Sequence, residues 1–377
     1  MFNYANLFLE LTFLILIIAA CIQLFYYLWC YFAVAFYKPP SENLSEKPPV
    51  SIIICARNEA ENLDNFLPAV LEQDYPDYEV IVINDCSEDG SDDILGKFLS
   101  KYPHLKVSSI NKDPKFTHNK KLAQLVGIKA AKNETLLFTD ADCKPESNLW
   151  LATMASKFTG NVGFVLGYGG YYQKKGLLNA FIRYDAMTIA MQYFGMALKK
   201  LPYMGVGRNL AYKRSIFFDN KGYGAYYHLV SGDDDLFVNN NATAENTAIE
   251  FSAQSHTRSV PAATFKEFFK QKRRHMTTAG YYKLRDKIIL LTEPASRMIF
   301  YAALIVLLIN KFLWPYVLGC FAIRLCVQLI TLIPVGKKLN EQKIIFISLF
   351  FDVFSPIINS VFYLCKSGRN TGAAKWK

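Results

Sequence analysis

Two carboxylates one residue apart, Asp140 and Asp142, stand at the carboxyl end of the apolar run Leu136-Leu-Phe-Thr. Such a pair repels itself unless a cation or a proton sits between its members. Hard oxygen donors suit Mg²⁺ or Mn²⁺, so the chemistry on offer is a divalent ion bridging to a diphosphate. An isolated Asp-x-Asp more often just solvates a strand end, and its weight here comes from other groups. Lys120 opens the segment that leads into this run, where it can reach a phosphate. Asp85 lies in the acidic turn Asn84 to Ser91, at the place of a base-reading carboxylate. A third acidic group follows as Gly232-Asp-Asp-Asp-Leu236.

The elements that must hold these groups are legible around them. Leu136 to Cys143 reads as a buried strand ending in the acids, because a short apolar run bounded by polar residues is the signature of a strand covered on both faces. Val50 to Cys55 is a β-branched run that ends in Ala56-Arg57-Asn58-Glu59 before a helical pattern near Glu61. Glu79 to Ile83 repeats the design, and His118-Asn119-Lys120-Lys121 opens a helix over 122–131. Strand, polar loop and helix in succession predict an open α/β sheet, which binds ligands outside the carboxyl ends of its strands. No GxGxxG or GxxxxGK[ST] loop occurs at these junctions, which disfavours a dinucleotide enzyme and a P-loop kinase. Gly163 to Tyr172 reads as a loop and strand after the acids, Tyr203 to Ala211 as a further strand on the acceptor side, and His256 as a surface histidine.

Composition places part of the chain in lipid. Of 377 residues, 52% are hydrophobic, with 29 Phe and 23 Tyr. Residues 11–37 contain no charge, long enough for a span that needs about 20 helical residues. The run is too long for a signal peptide and lacks basic residues before it. Further apolar stretches at 288–310, 312–335 and 344–365 predict three more membrane segments, interrupted by Glu293, Arg297, Arg324 and Asp352. Arg324 and Asp352 fall at similar depths and are expected to pair, since each alone in lipid is costly. Three crossings after a cytosolic domain would put the basic tail outside, so one segment, with Pro356 marking the last, is a candidate re-entrant helix. The net charge is +10, with basic residues clustered at 266–287 and in the tail. Beside apolar spans, an anionic leaflet explains these better than nucleic acid does. Eight cysteines without close pairing suggest reduced thiols and a cytosolic soluble part. The expected divisions are a membrane helix (1–37), a linker (38–49), a catalytic domain (50–265), an amphipathic interfacial segment (266–287), membrane segments (288–365) and a basic tail (366–377).

The order of these motifs resembles the family 2 glycosyltransferases over roughly residues 50 to 275. The resemblance rests on Ser51-Ile-Ile-Ile-Cys-Ala-Arg-Asn-Glu59, Asp85, Lys120 with Ala123 and Gly127, Asp140-Ala-Asp142, Gly232-Asp-Asp-Asp-Leu236 and Gln271-Lys-Arg-Arg274. It implies an α/β GT-A fold, Rossmann-like, with N- and C-terminal transmembrane helices. It implies that Ala56, Arg57, Glu59 and Asp85 hold the nucleoside of a UDP-sugar, that Lys120 and Asp140 contact the nucleotide, and that Asp142 is the principal ligand of Mg²⁺ or Mn²⁺, with Asp140. Asp233 is the general base if Asp235-Leu236 is aligned with the family's Asp-Leu, and Asp234 if the Gly-Asp-Asp pattern of hyaluronan synthases is followed; the first is slightly favoured. Gln271 and Arg274 match QxxRW, which closes over the diphosphate, with His275 in place of its Trp.

The expected activity is an inverting, metal-dependent hexosyl transfer to a hydroxyl acceptor, a lipid or a saccharide, with the enzyme in the cell inner membrane and its catalytic domain cytoplasmic. A processive polysaccharide synthase is the close alternative, and a non-catalytic membrane scaffold the alternative of another class.

Overall fold

The structure is a computed structural model that describes residues 4–39, 47–112 and 119–365. Most of the linker, His118 and the basic tail therefore lie outside the described residues. In chain order the strands are β1 (Val50–Ala56), β2 (Tyr78–Asp85), β3 (Leu105–Ile110), β4 (Thr135–Asp140), β5 (Cys143–Pro145), β6 (Phe164–Gly167), β7 (Gly169–Tyr171), β8 (Leu210–Lys213), β9 (Thr247–Glu250) and β10 (Thr257–Ser259). Seven form one sheet in the order β3-β2-β1-β4-β8-β6-β9, and β5-β10-β7 form a small second sheet.

The chain runs outward from β1 through β2 to β3, then returns to place β4 on the other side of β1, both pairings being parallel. That reversal opens a crevice at the carboxyl ends of β1 and β4. Register pairs Cys55 with Asp140, so the acids of β4 lie beside the Ala56-Arg57 loop. β1 is buried along its whole length because alternate residues serve two cores. Ile53 and Cys55 face one layer with Ile81, Ile83 and Phe138; Ile52 and Ile54 face the other with Val80, Val82 and Leu137. The helix Lys120–Ala130 is capped by the Asn119 side chain, which accepts from the Leu122 N–H at 3.0 Å. It lies close on the sheet at Gly127, where an added Cβ would stand 2.7 Å from Ile53 Cγ2.

Four helices are long and apolar enough to cross a membrane, over Asn6–Ala35, Leu284–Ile309, Trp314–Lys338 and Gln342–Leu364. The last runs through Pro356 as a continuous helix and is not broken as a re-entrant segment would be. Arg324 and Asp352 do pair, at 2.8 Å. Asp352 also takes Arg297 at 3.0 Å and the Tyr301 hydroxyl at 2.6 Å, Arg297 binds Glu293 at 2.9 Å, and Arg324 donates to Gln23 Oε1 of the first helix at 3.1 Å. The charges that interrupt the apolar stretches therefore satisfy one another at the centre of the bundle. Removing one member of a buried pair strands the other, at about 3–5 kcal/mol. Asp352→Ala leaves Arg324 without a carboxylate and Arg297 with Glu293 alone, whereas Arg324→Ala leaves Asp352 with Arg297. We expect the first to lower thermal stability in detergent more than the second, and the double variant to be less destabilised than the sum. Additive losses would mean no coupling.

The soluble layers are joined to this bundle. The first membrane helix contains a π-helical turn, Tyr26–Tyr31, and the long helix Leu177–Leu198 crosses it at Gly195. An added Cβ there would lie 2.7 Å from the Cys30 carbonyl oxygen and 2.6 Å from its sulfur. Backbone cannot yield as a side chain does, so Gly195→Ala is expected to cost about 1–3 kcal/mol, read as a lower melting temperature in detergent. Between the last two membrane helices, Glu341 is buried against the soluble domain, 2.6 Å from Arg258 of β10 and 2.5 Å from Arg183 of the long helix.

Candidate active site

Three strand ends and two loops converge at the crevice. Asp140 closes β4 and Asp142 follows in the turn to β5; their carboxylates and the Cys143 sulfur lie within 4.8 Å of one another. Burial, then the Asp142 and Asp140 charges, holds the Cys143 thiol well above its ordinary value. It stays protonated, shared with Ser259 Oγ at 2.8 Å and directed at Asp142 Oδ1 at 3.3 Å. The donors left for a cation are carboxylate oxygens, which fit Mg²⁺ or Mn²⁺ and not a thiolate-bound metal.

Lys120, at the start of its helix, bridges Asp140 at 2.6 Å and Asp233 at 3.4 Å. Burial alone would lower its ammonium, but Asp140, Asp233 and Asp234 hold it well above the usual range. The acidic triplet spans the approach to and start of a short helix, Asp235–Asn241, and its three members differ. Asp233 is buried, accepts from Gln124 Nε2 at 3.1 Å and is kept ionised against that burial by Lys120 and Lys121. Asp235 is buried under Thr278 and the Tyr282 hydroxyl, the latter at 2.7 Å. Asp234 alone keeps partial solvent access. Its Oδ2 accepts from the Gly207 N–H at 2.6 Å, and burial with Asp233 and Asp235 alongside pushes it up to about 7. Lys121, fully buried, fixes the loop leading into the triplet by donating to the carbonyls of Tyr226, Leu229 and Ser231 at 3.2, 2.7 and 2.6 Å.

On the other side of Asp140, Ala56 ends β1 and Arg57 reaches Asp85 at the end of β2, 3.7 Å away. Glu59 is buried at the head of the helix Ala60–Leu71 and accepts from Asn62 at 2.5 Å. These four residues form the flank away from the triplet. Gln271 and Arg274 lie on the helix Phe265–Met276, which a Thr264–Glu267 capping box starts. Its Phe268 and Phe269 rings pack 5.8 and 5.2 Å from Phe362 of the last membrane helix, and Lys272 binds Asp185 at 2.8 Å. His275 is exposed on this helix; desolvation by the surrounding chain, then the positive charges of Arg274, Lys272, Arg208 and Lys120, lower its imidazole below the ordinary value.

Two expectations from the sequence need correction. Tyr203 to Ala211 is not a strand: pairing begins at Leu210, and the preceding residues form a loop whose Gly207 N–H serves Asp234 instead of a ladder. His256 is buried, not on the surface; it stacks edge-on with Tyr168 at 5.0 Å, its Nε2–H donates to the Phe251 carbonyl oxygen at 3.0 Å, and it faces Glu146 at 3.5 Å. Tyr168 and Glu146 lie far from it in the chain. The sequence also gave no reason to single out Arg208, Lys121, Gln124, Thr278 or Tyr282, of which only Arg208, between Gly207 and Asn209, carried a hint.

The sheet order, with an acid pair at its switch point, defines the GT-A fold of nucleotide-sugar-dependent transferases. The chain belongs to glycosyl transferase family 21, whose model matches residues 12–365, a family of the same clan as family 2. The mannosyltransferase PcManGT from Pyrobaculum calidifontis, solved with GDP-Man and Mn²⁺, shares the fold with a TM-score of 0.57 at 16% identity, covering 92% of this chain and 99% of that one. Glycosyltransferase AglE of Haloferax volcanii is 34% identical over 154 residues, 38% of this chain and 46% of that protein. The probable glycosyltransferase YdaM of Bacillus subtilis is 27% identical over 275 residues, 69% and 62% of the two chains. The cholesterol galactosyltransferase of Borreliella burgdorferi is 34% identical over 109 residues, 29% of each. The chain thus spans less than two thirds of the length of each of these curated relatives.

Proposed function

We propose that this protein is an inverting glycosyltransferase that moves a sugar from a UDP-sugar to the hydroxyl of a lipid at the cytoplasmic face of the cell inner membrane. The observation that carries this reading is Asp234: a crevice-facing carboxylate poised near neutrality, joined through Gly207 and Lys120 to the acid pair that would hold the donor's diphosphate. Ala56, Arg57, Glu59 and Asp85 would seat the nucleoside. Mg²⁺ or Mn²⁺ held by Asp142 and Asp140 would supply charge neutralisation at the diphosphate. Asp234 takes the acceptor's hydroxyl proton as the acceptor oxygen bonds to the anomeric carbon from the face opposite the diphosphate. The bond from that carbon to the phosphate oxygen breaks, and its electron pair leaves with the nucleoside diphosphate. One displacement inverts the centre. Lys120 and Arg274 face the growing negative charge, with Gln271 beside them.

A lipid acceptor is favoured because the wall carrying Gln271 and Arg274 is itself packed on a membrane helix through Phe362, which brings the crevice to the membrane surface. The relative named as a cholesterol galactosyltransferase is in keeping with that choice. The test is a screen of UDP- and GDP-sugars with detergent-purified protein and a host lipid extract, following nucleoside diphosphate release and the mass of the lipids. A glycolipid of inverted anomeric configuration is expected; no diphosphate release with any donor would leave the scaffold alternative standing.

A further inference from the structure

Arg208 lies on the short loop that joins the two halves of the crevice. The preceding residue, Gly207, donates to Asp234. The Arg208 carbonyl accepts from Thr139 Oγ1 at 3.1 Å and from Thr257 Oγ1 at 3.0 Å, and Thr139 immediately precedes Asp140 in β4. The backbone of Arg208 is thus tied to both the acid pair and the base. Its side chain has a prepared bed. The guanidinium carbon lies 4.3 Å from the centroid of the Tyr171 ring, and Gly169 keeps the path clear, since an added Cβ there would stand 3.2 Å from Arg208 Nε. Among the described residues no carboxylate lies within ion-pair distance of this guanidinium; the half-buried Arg214, Arg273 and Arg274 also lack one, and Arg208 differs from them in being tied by its own carbonyl to Thr139, beside Asp140. A stacked, oriented fork with no carboxylate bound to it is the arrangement that recognises a phosphate bidentately.

We propose that Arg208 is a further donor-binding residue that contacts the β-phosphate of the nucleoside diphosphate. This rests on the donor site described above and goes beyond it, since neither the motif order nor the family resemblance singles out this position. Burial opposes the guanidinium's charge, but Tyr171 first, then Cys143, Asp140 and Asp142, hold it more firmly protonated still. Tyr171 fixes the plane of the fork, and the two threonines fix its distance from the acid pair.

The experiment measures UDP, GDP and UMP binding by calorimetry to the full chain in detergent with Mn²⁺, for wild type, Arg208→Met, Arg208→Lys and Tyr171→Leu. Arg208→Met is expected to weaken the diphosphate that wild type binds by about 10–100-fold, the worth of charge-assisted hydrogen bonds to one phosphate, while UMP is nearly unchanged. Arg208→Lys should fall between, because a point charge replaces the fork, and Tyr171→Leu should show a smaller loss of the same selectivity with Arg208 retained. Equal weakening of UDP and UMP, or a fall in the apo melting temperature that accounts for the loss, would assign Arg208 a structural role and overturn the proposal. So would unchanged diphosphate affinity in Arg208→Met with wild type binding normally. Failure of wild type to bind either diphosphate would overturn the donor site itself, and Arg208 with it.

Discussion

Asp142→Asn is expected to yield a protein that folds, melts within a few degrees of wild type and transfers no sugar above background. Asp142 sits in the turn after β4, where its contact from the Cys143 thiol goes to an oxygen that the amide retains. The amide is nearly isosteric with the carboxylate, so the fold is expected to hold. The substitution does remove one of two carboxylates that would hold the cation, and with it neutralisation of the leaving diphosphate. That neutralisation is worth several kcal/mol, so turnover should fall about 10³-fold or more. Manganese binding followed by electron paramagnetic resonance should weaken in parallel, and EDTA should reproduce the loss in wild type. Full turnover in EDTA with no bound metal would remove the cation from the mechanism.

Asp234→Asn should lower kcat by about 10²–10⁴-fold with donor affinity retained, the range for a positioned general base. The base must be ionised to accept a proton. With its pKa at about 7, the wild-type rate should hold above that pH and fall tenfold per unit below it. The Asn variant should lack this limb. Asp233→Asn tests the alternative alignment: Asp233 is held ionised by Lys120 and Lys121 and engaged by Gln124, so its loss should disturb Lys120 and donor affinity more than the acid limb. Should Asp233→Asn erase the limb and Asp234→Asn leave it, the base is Asp233.

The sheet and its acids were legible because they are local. β1, β2 and β4 are largely β-branched and apolar; β2 and β4 end in Asp85 and Asp140, and Arg57 follows directly on β1. The sequence could not separate Asp233 from Asp234, because what distinguishes them is Gly207 on one and Gln124 on the other, contacts 27 and 109 residues away. Tyr203 to Ala211 misled because glycine alternating with apolar residues has the strand period whether or not a neighbour supplies the ladder. The pairing of Arg324 with Asp352 followed from depth alone, but that Arg297 also binds Asp352, and brings Glu293 with it, depends on how the helices turn toward one another in the bundle. His256 looked like a surface residue because its aromatic cover, Tyr168, comes from a distant part of the chain, brought beside it by the parallel pairing of β10 with β7.

The clasp at Glu341 limits where the protein can be cut. A fragment ending near residue 265 would carry the whole sheet, both acid groups and all ten strands. It would also carry Arg183 and Arg258, both nearly fully buried, without Glu341: Arg183 would lose its carboxylate and Arg258 would keep Glu146 alone. Stranding a buried guanidinium in this way opposes folding by about 3–5 kcal/mol, a large part of a domain's stability. The catalytic layers are then not a soluble enzyme hung on an anchor: the loop beyond the third membrane helix is part of their interior, and expression trials that discard it should give aggregates where the full chain gives a monodisperse detergent complex.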